Sequence, residues 1–214
     1  VGSEMCIRDR GRTGYLACAL GAQKITMRVK TMNDLKNYDN FAAYIAREFF
    51  RKSGVNRYRL LKIDEMSNER VIDACRLYCE ENNLLHEYSV FLEQEEALQT
   101  GKQYLGKVIN VTVDRPLGSH HPKHSDIVYP VNYGYCDEVF AADGEPQDVY
   151  ILGIYEPISV FKGRVIAVIR RFDDVENKWV VCPDEYIFTK EEIAEATEFQ
   201  ERYFKTEILM QGDF

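Results

Sequence analysis

Tyr129-Pro130-Val131-Asn132-Tyr133-Gly134-Tyr135, followed eight residues on by Asp143-Gly144-Glu145-Pro146-Gln147-Asp148-Val149, is the stretch on which the reading of this chain turns. Three carboxylates fall within six residues around a Gly-Glu-Pro turn that enters a strand. A second acidic cluster, Asp173, Asp174 and Glu176, lies further on and ends at Lys178. Acids this dense, with basic and phenolic groups close by, are what a site for Mg2+ and a phosphate-type anion requires, because Mg2+ takes hard oxygen ligands and keeps several of its waters.

Around this stretch the pattern is of short β segments, at residues 107–113, 126–129, 149–152, 163–169 and 178–181. Turn signals separate them at Pro116-Leu117-Gly118, Ala142-Asp143-Gly144, Phe161-Lys162-Gly163 and Asp173-Asp174. Strands this short and this closely spaced predict a small barrel or sandwich. One amphipathic helix closes the region. Thr189-Lys190-Glu191-Glu192 has capping-box form, and Ile193, Ala196, Phe199 and Tyr203 give the helix a face to bury.

Upstream the pattern differs. Residues 11–92 read as a small α/β segment: a strand at 24–31, a helix at 34–52, a strand at 57–63, a helix capped by Ser67, and a third strand at 88–92. Residues 93–105, polar and helix-prone, read as a linker to a domain at 106–214. The fold class expected for the whole is therefore α+β. Residues 1–10, VGSEMCIRDR, resemble translated adapter sequence and are set aside. With them goes a match of Cys6 and Arg12-Thr13-Gly14 to a phosphatase-type phosphate loop, which no apolar strand precedes.

The 214 residues carry a net charge of −8, all of it in residues 101–214, where 12 basic side chains face 20 acidic ones. An acidic half of this kind argues against nucleic-acid phosphates as partners and for divalent cations. No apolar run is long enough for a membrane span. The six cysteines are scattered without C-x-x-C spacing, which suggests a reducing cytoplasm. Cys75 and Cys79, four apart, read as buried packing residues.

From the residues alone, Asp143 and Asp148 are placed to share a metal, Asp173, Asp174 and Glu176 to meet them across the barrel, and Glu145 to act as general base. Two metals about 4 Å apart would activate a water between them. The linked motifs Y-P-x-N-Y-G-Y and D-G-x-P-x-D, in this order, resemble those of the soluble (family I) inorganic pyrophosphatases, over about residues 106–210 and with most likeness to short members from Firmicutes. The resemblance implies a compact OB-like β-barrel with a flanking helix that hydrolyses diphosphate to two phosphates with Mg2+. It implies metal roles for Asp143, Asp148 and Glu176, with Asp173 or Asp174 beside them. Lys178, Tyr133, Arg115 of Val113-Asp114-Arg115, and Tyr203 of the last helix would then hold phosphate oxygens. A homo-oligomer is compatible with this reading.

The chain departs from the family pattern at several points. Glu145 stands where the family has its water-activating aspartate, one methylene shorter. Phe204 replaces a lysine after the C-terminal tyrosine, and the second acidic cluster is two residues shorter than usual. A loop at 116–128 carries His120, His121, Lys123 and His124, which are candidates for phosphate or transition-metal contacts or for an exposed loop. A metal- and phosphate-binding module with little turnover, or a hydrolase of another phosphoanhydride, are the alternatives to a diphosphatase.

Overall fold

A computed structural model of the chain describes residues 32–124 and 126–213. The chain divides between Leu92 and Glu93 into two compact units. Residues 1–31, with the expected strand at 24–31 and the phosphatase-like match, lie outside the described part.

The described part of the first unit is helical. It contains α1 (Met32–Lys52), α2 (Arg57–Asp64), α3 (Asn68–Glu81) and the first turns of α4 (Leu85–Tyr104). Ile45 and Phe49, and Ala46 and Phe50, repeat at the helical interval and pack with Val71, Cys75, Cys79 and Phe91 into one buried core. Gly54, at φ +72°, lies just beyond α1, a conformation glycine adopts without strain.

The α/β expectation for this segment is corrected in two places. Residues 57–63 form helix α2, started by Asn56, whose side chain accepts from the Arg59 N–H. Residues 88–92 belong to α4, where Tyr88 and Phe91, three apart, both meet the Phe49 ring. An apolar run of five to seven residues fits either period, and here tertiary burial selects the helix. The expected linker is likewise the second half of α4.

The second unit is a barrel built from β1 (Val108–Arg115), β2 (Asn132–Phe140), β3 (Pro146–Ile151), β4 (Val160–Arg171) and β5 (Lys178–Cys182). The strands run in the order β1-β2-β3-β5-β4, and pairing of β1 with β4 closes the ring; β6 (Thr206–Met210) adds to the free side of β4. All pairs are antiparallel except β3 with β5. Residues 126–129, expected as a strand, contribute an isolated bridge between His120 and Val128. In β2 the backbones approach so closely that a Cβ on Gly134 would lie 2.0 Å from the Thr112 carbonyl oxygen, so glycine is required there.

Strand alternation divides the barrel's side chains between two cores. Val111, Cys136, Val149, Ile151, Trp179 and Val181 point inward, and Leu98 of α4 joins them. Tyr133, Tyr150, Ile169, Val180 and Cys182 point outward, under Ile193 of α5 (Lys190–Glu201). Helix α5 starts with the expected capping box, Thr189 accepting from the Glu192 N–H and Glu192 reaching back to the Thr189 N–H. No described helix is long and apolar enough to cross a membrane.

Candidate active site

The outward-facing side of β2, β3 and β5 carries the candidate chemistry. Tyr133 pairs with Tyr150 and Tyr135 with Asp148 between β2 and β3, while Val149 lies level with Trp179 between β3 and β5. That register sets Lys178 beside Asp148. The Lys178 ammonium lies 2.6 Å from Asp148 Oδ2 and 2.5 Å from Glu176 Oε2. All three side chains are buried, Lys178 completely.

One ammonium thus meets two carboxyl groups. The Glu176 carboxyl is pushed up to about 8, first by burial, against the pull of Lys178, with the negative charges of Asp148 and Asp143 adding to the rise.

Asp143 and Glu145 sit on the exposed turn between β2 and β3. Glu145 N–H donates to Asp143 Oδ1 at 3.0 Å and the Glu145 carbonyl accepts from Ala141 N–H, with Gly144 at φ +83° completing the turn. The Glu145 carboxylate is thereby carried on an ordered backbone at the solvent edge.

The other acidic cluster divides. Glu176 joins Asp148 and Lys178, whereas Asp173 accepts from the Lys205 backbone N–H at 3.0 Å and Asp174 pairs with Arg171 at 3.2 Å. Arg115, opposite Tyr133 in the β1–β2 register, contacts Asp114 through both its carboxylate and its carbonyl. Tyr133 is buried among the rings of Tyr129 and Tyr150. Tyr203 is half-exposed, and its hydroxyl accepts from Arg202 at 3.0 Å. Among the described residues no three His, Cys, Asp or Glu side chains are gathered as a metal-holding group. Mg2+ needs only one or two protein carboxylates beside waters and substrate oxygens, and the oxygens of Asp148 and Glu176, brought together at Lys178, have the donor chemistry for it.

In the histidine loop, His121 is buried and its Nδ1 accepts from the N–H groups of Lys123 and His124, both at 3.2 Å. Its proton is therefore on Nε2, and the ring lies parallel to Tyr129. Asn132 of the first motif acts on the backbone: its Oδ1 accepts from Leu117 and Ile158 N–H, and its Nδ2 donates to the Glu156 carbonyl.

Sequence reasoning missed Arg171, Glu201, Gln94 and Gln147. Gln147 donates to the Asn177 carbonyl at 2.6 Å, and Gln94 to the carbonyls of Phe172 and Asp174. A signal existed for Arg171. It continues the alternation of Ala167 and Ile169, which face α5, so an arginine stands where a buried apolar residue is due.

The family model described as inorganic pyrophosphatase matches residues 99–207. An inorganic pyrophosphatase of Saccharolobus solfataricus is 33% identical over 90 residues, covering 41% of this chain and 49% of that protein. One of Halobacterium salinarum is 30% identical over 115 residues, covering 47% of this chain and 62% of that one. The chain thus spans about half to three fifths of the length of these relatives. Among solved structures, the inorganic pyrophosphatase of Ehrlichia chaffeensis aligns with a TM-score of 0.41 at 22% identity, over 50% of this chain and 87% of that one. The barrel closed through β1 and β4 carries the two motifs on neighbouring strands. The chain belongs to the inorganic pyrophosphatase family.

Proposed function

We propose that this chain hydrolyses inorganic diphosphate to two phosphates in the presence of Mg2+, in the cytoplasm, a setting in keeping with its buried free thiols. The observation that carries the reading is the buried Asp148–Lys178–Glu176 group on the barrel face that also presents Tyr133.

Asp148 and Glu176, with Asp143 at the adjoining turn, would hold the cation. What a divalent cation supplies when bound is neutralisation of phosphate charge and acidification of water. Lys178 and Arg115 donate N–H groups to phosphate oxygens, and the Tyr133 and Tyr203 hydroxyls orient them. Glu145 accepts the proton of the attacking water as its oxygen bonds to phosphorus. The P–O bond to the bridging oxygen breaks, and the second phosphate departs with that electron pair. Asp173 and Asp174 support the turn that carries Glu176. Such chemistry depends on positioning and charge neutralisation, which fixed cations and acids provide.

The test is phosphate release from diphosphate, with Mg2+ and with chelator, for the full chain and for Asp148→Asn. Mg2+-dependent release that falls at least about 100-fold in the variant is expected. Tight diphosphate binding without turnover would instead identify a binding module.

A further inference from the structure

Arg171, the last residue of β4, is fully buried although it carries a permanent charge. Its Nε and Nη2 donate to the two oxygens of Glu201, at 2.9 and 2.6 Å, and its Nη1 donates to Asp174 Oδ2 at 3.2 Å. Its guanidinium stacks 3.7 Å from the centre of the Phe204 ring. Glu201 also accepts from the Tyr150 hydroxyl at 2.6 Å.

These contacts gather the end of β4, the last turn of α5 and the turn at 172–177. From Asp174 the connection runs on, since its Oδ1 accepts from the Glu176 N–H at 3.4 Å. The Arg171 N–H meets Asn177 Oδ1 at the same distance. The Phe204 ring forms one wall for this cation. That cation does not face solvent; it is neutralised by Glu201 and Asp174.

We propose that Arg171 is a positioning residue: through Asp174 it fixes the turn that presents Glu176, and through Glu201 it fixes the last turn of α5, which presents Tyr203. The inference rests on reading Asp148 and Glu176 as cation ligands. A planar fork engaged with two carboxylates is not reproduced by lysine, and groups that orient metal ligands from behind typically alter metal affinity by about 10–100-fold when changed.

The test is Mn2+ affinity of the full chain by calorimetry, for the native protein and for Arg171→Lys, Glu201→Gln and Phe204→Leu, each shown folded by circular dichroism. In Arg171→Lys and Glu201→Gln, affinity is expected to fall about 10-fold. The Mg2+ concentration for half-maximal diphosphate hydrolysis should rise equally, and KM at saturating metal should rise as well, because Tyr203 is a proposed phosphate contact. Should both variants fail to fold, Phe204→Leu, which removes only the stacked ring, carries the same expectation. Lowered thermal stability with unaltered Mn2+ affinity would overturn the proposal and leave Arg171 a purely structural residue. A native chain that binds Mn2+ without hydrolysing diphosphate would overturn the proposed function alone, with the affinity comparison still deciding Arg171. A native chain that binds no Mn2+ would overturn both.

Discussion

Asp148 and Lys178, thirty residues apart in the chain, meet at 2.6 Å because β3 and β5 run parallel in the register that sets Val149 beside Trp179. The same ammonium serves Glu176, so its removal takes a shared partner from two buried carboxyl groups. Breaking a buried pair from one side typically costs about 3–5 kcal/mol. Lys178→Met is expected to lower the urea midpoint accordingly, and to abolish diphosphate turnover. Asp148→Asn, which leaves Lys178 with Glu176, should destabilise less. Comparing the two unfolding curves checks the order.

In the proposed reaction, Glu145 separates catalysis from stability. Its side chain is exposed, and its named contacts are backbone ones within the turn. Displacement of a reacting group by about 1 Å can cost on the order of 100-fold in rate. On that proposal Glu145→Asp, one methylene shorter, is expected to raise kcat by about 10-fold or more, and Glu145→Ala to remove most turnover. Neither should move the melting temperature noticeably. Phosphate release and thermal unfolding on the same samples check both halves; a fall in kcat for the aspartate variant would show that the turn has adapted to the longer side chain.

Glu176 makes stability depend on pH in a defined direction. Its carboxyl, ordinarily near 4.5, is raised to about 8 in the folded chain, chiefly by burial. Between those two values the folded protein holds a proton that the unfolded chain has released. Stability contributed by this group is therefore greatest on the acid side, declines as pH rises from about 4.5 to about 8, and levels off above. In a chelating buffer, Glu176→Gln should flatten that decline. Urea midpoints for both proteins across this range measure the difference, and parallel curves would contradict it.

The sequence made the barrel legible because its strands are short, β-rich and separated by turn residues. It hid β2, where Gly134, without a side chain to mark a strand face, is demanded by the close approach of the Thr112 carbonyl. The acids of the site were legible as a group, but their division was not. Asp148 and Glu176 are joined through a parallel pairing that no local pattern encodes, and Asp174 turns to Arg171, whose other partner Glu201 lies thirty residues on. In the helical unit, runs too short to separate a period of 2 from one of 3.6 misled the assignment at 57–63 and 88–92.

Helix α4 runs through most of the stretch that the sequence suggests as a linker. Within α4, Leu98 is buried among the inward-facing residues of the barrel, Tyr104 packs on Trp179 with ring centres 4.8 Å apart, and a Cβ on Gly101 would lie 2.8 Å from Val168. A flexible connector would tolerate substitution at all three positions, whereas a helix that forms part of the barrel core would not. Leu98→Ala should cost about 2–5 kcal/mol, as the deletion of a buried leucine side chain does. Gly101→Val should destabilise comparably by overpacking against Val168. Exposed Lys107, just past the helix, should tolerate alanine within about 0.5 kcal/mol. Chemical denaturation of the three variants decides the matter, because a connector predicts three superimposable curves and a core helix predicts that only Lys107→Ala follows the native one.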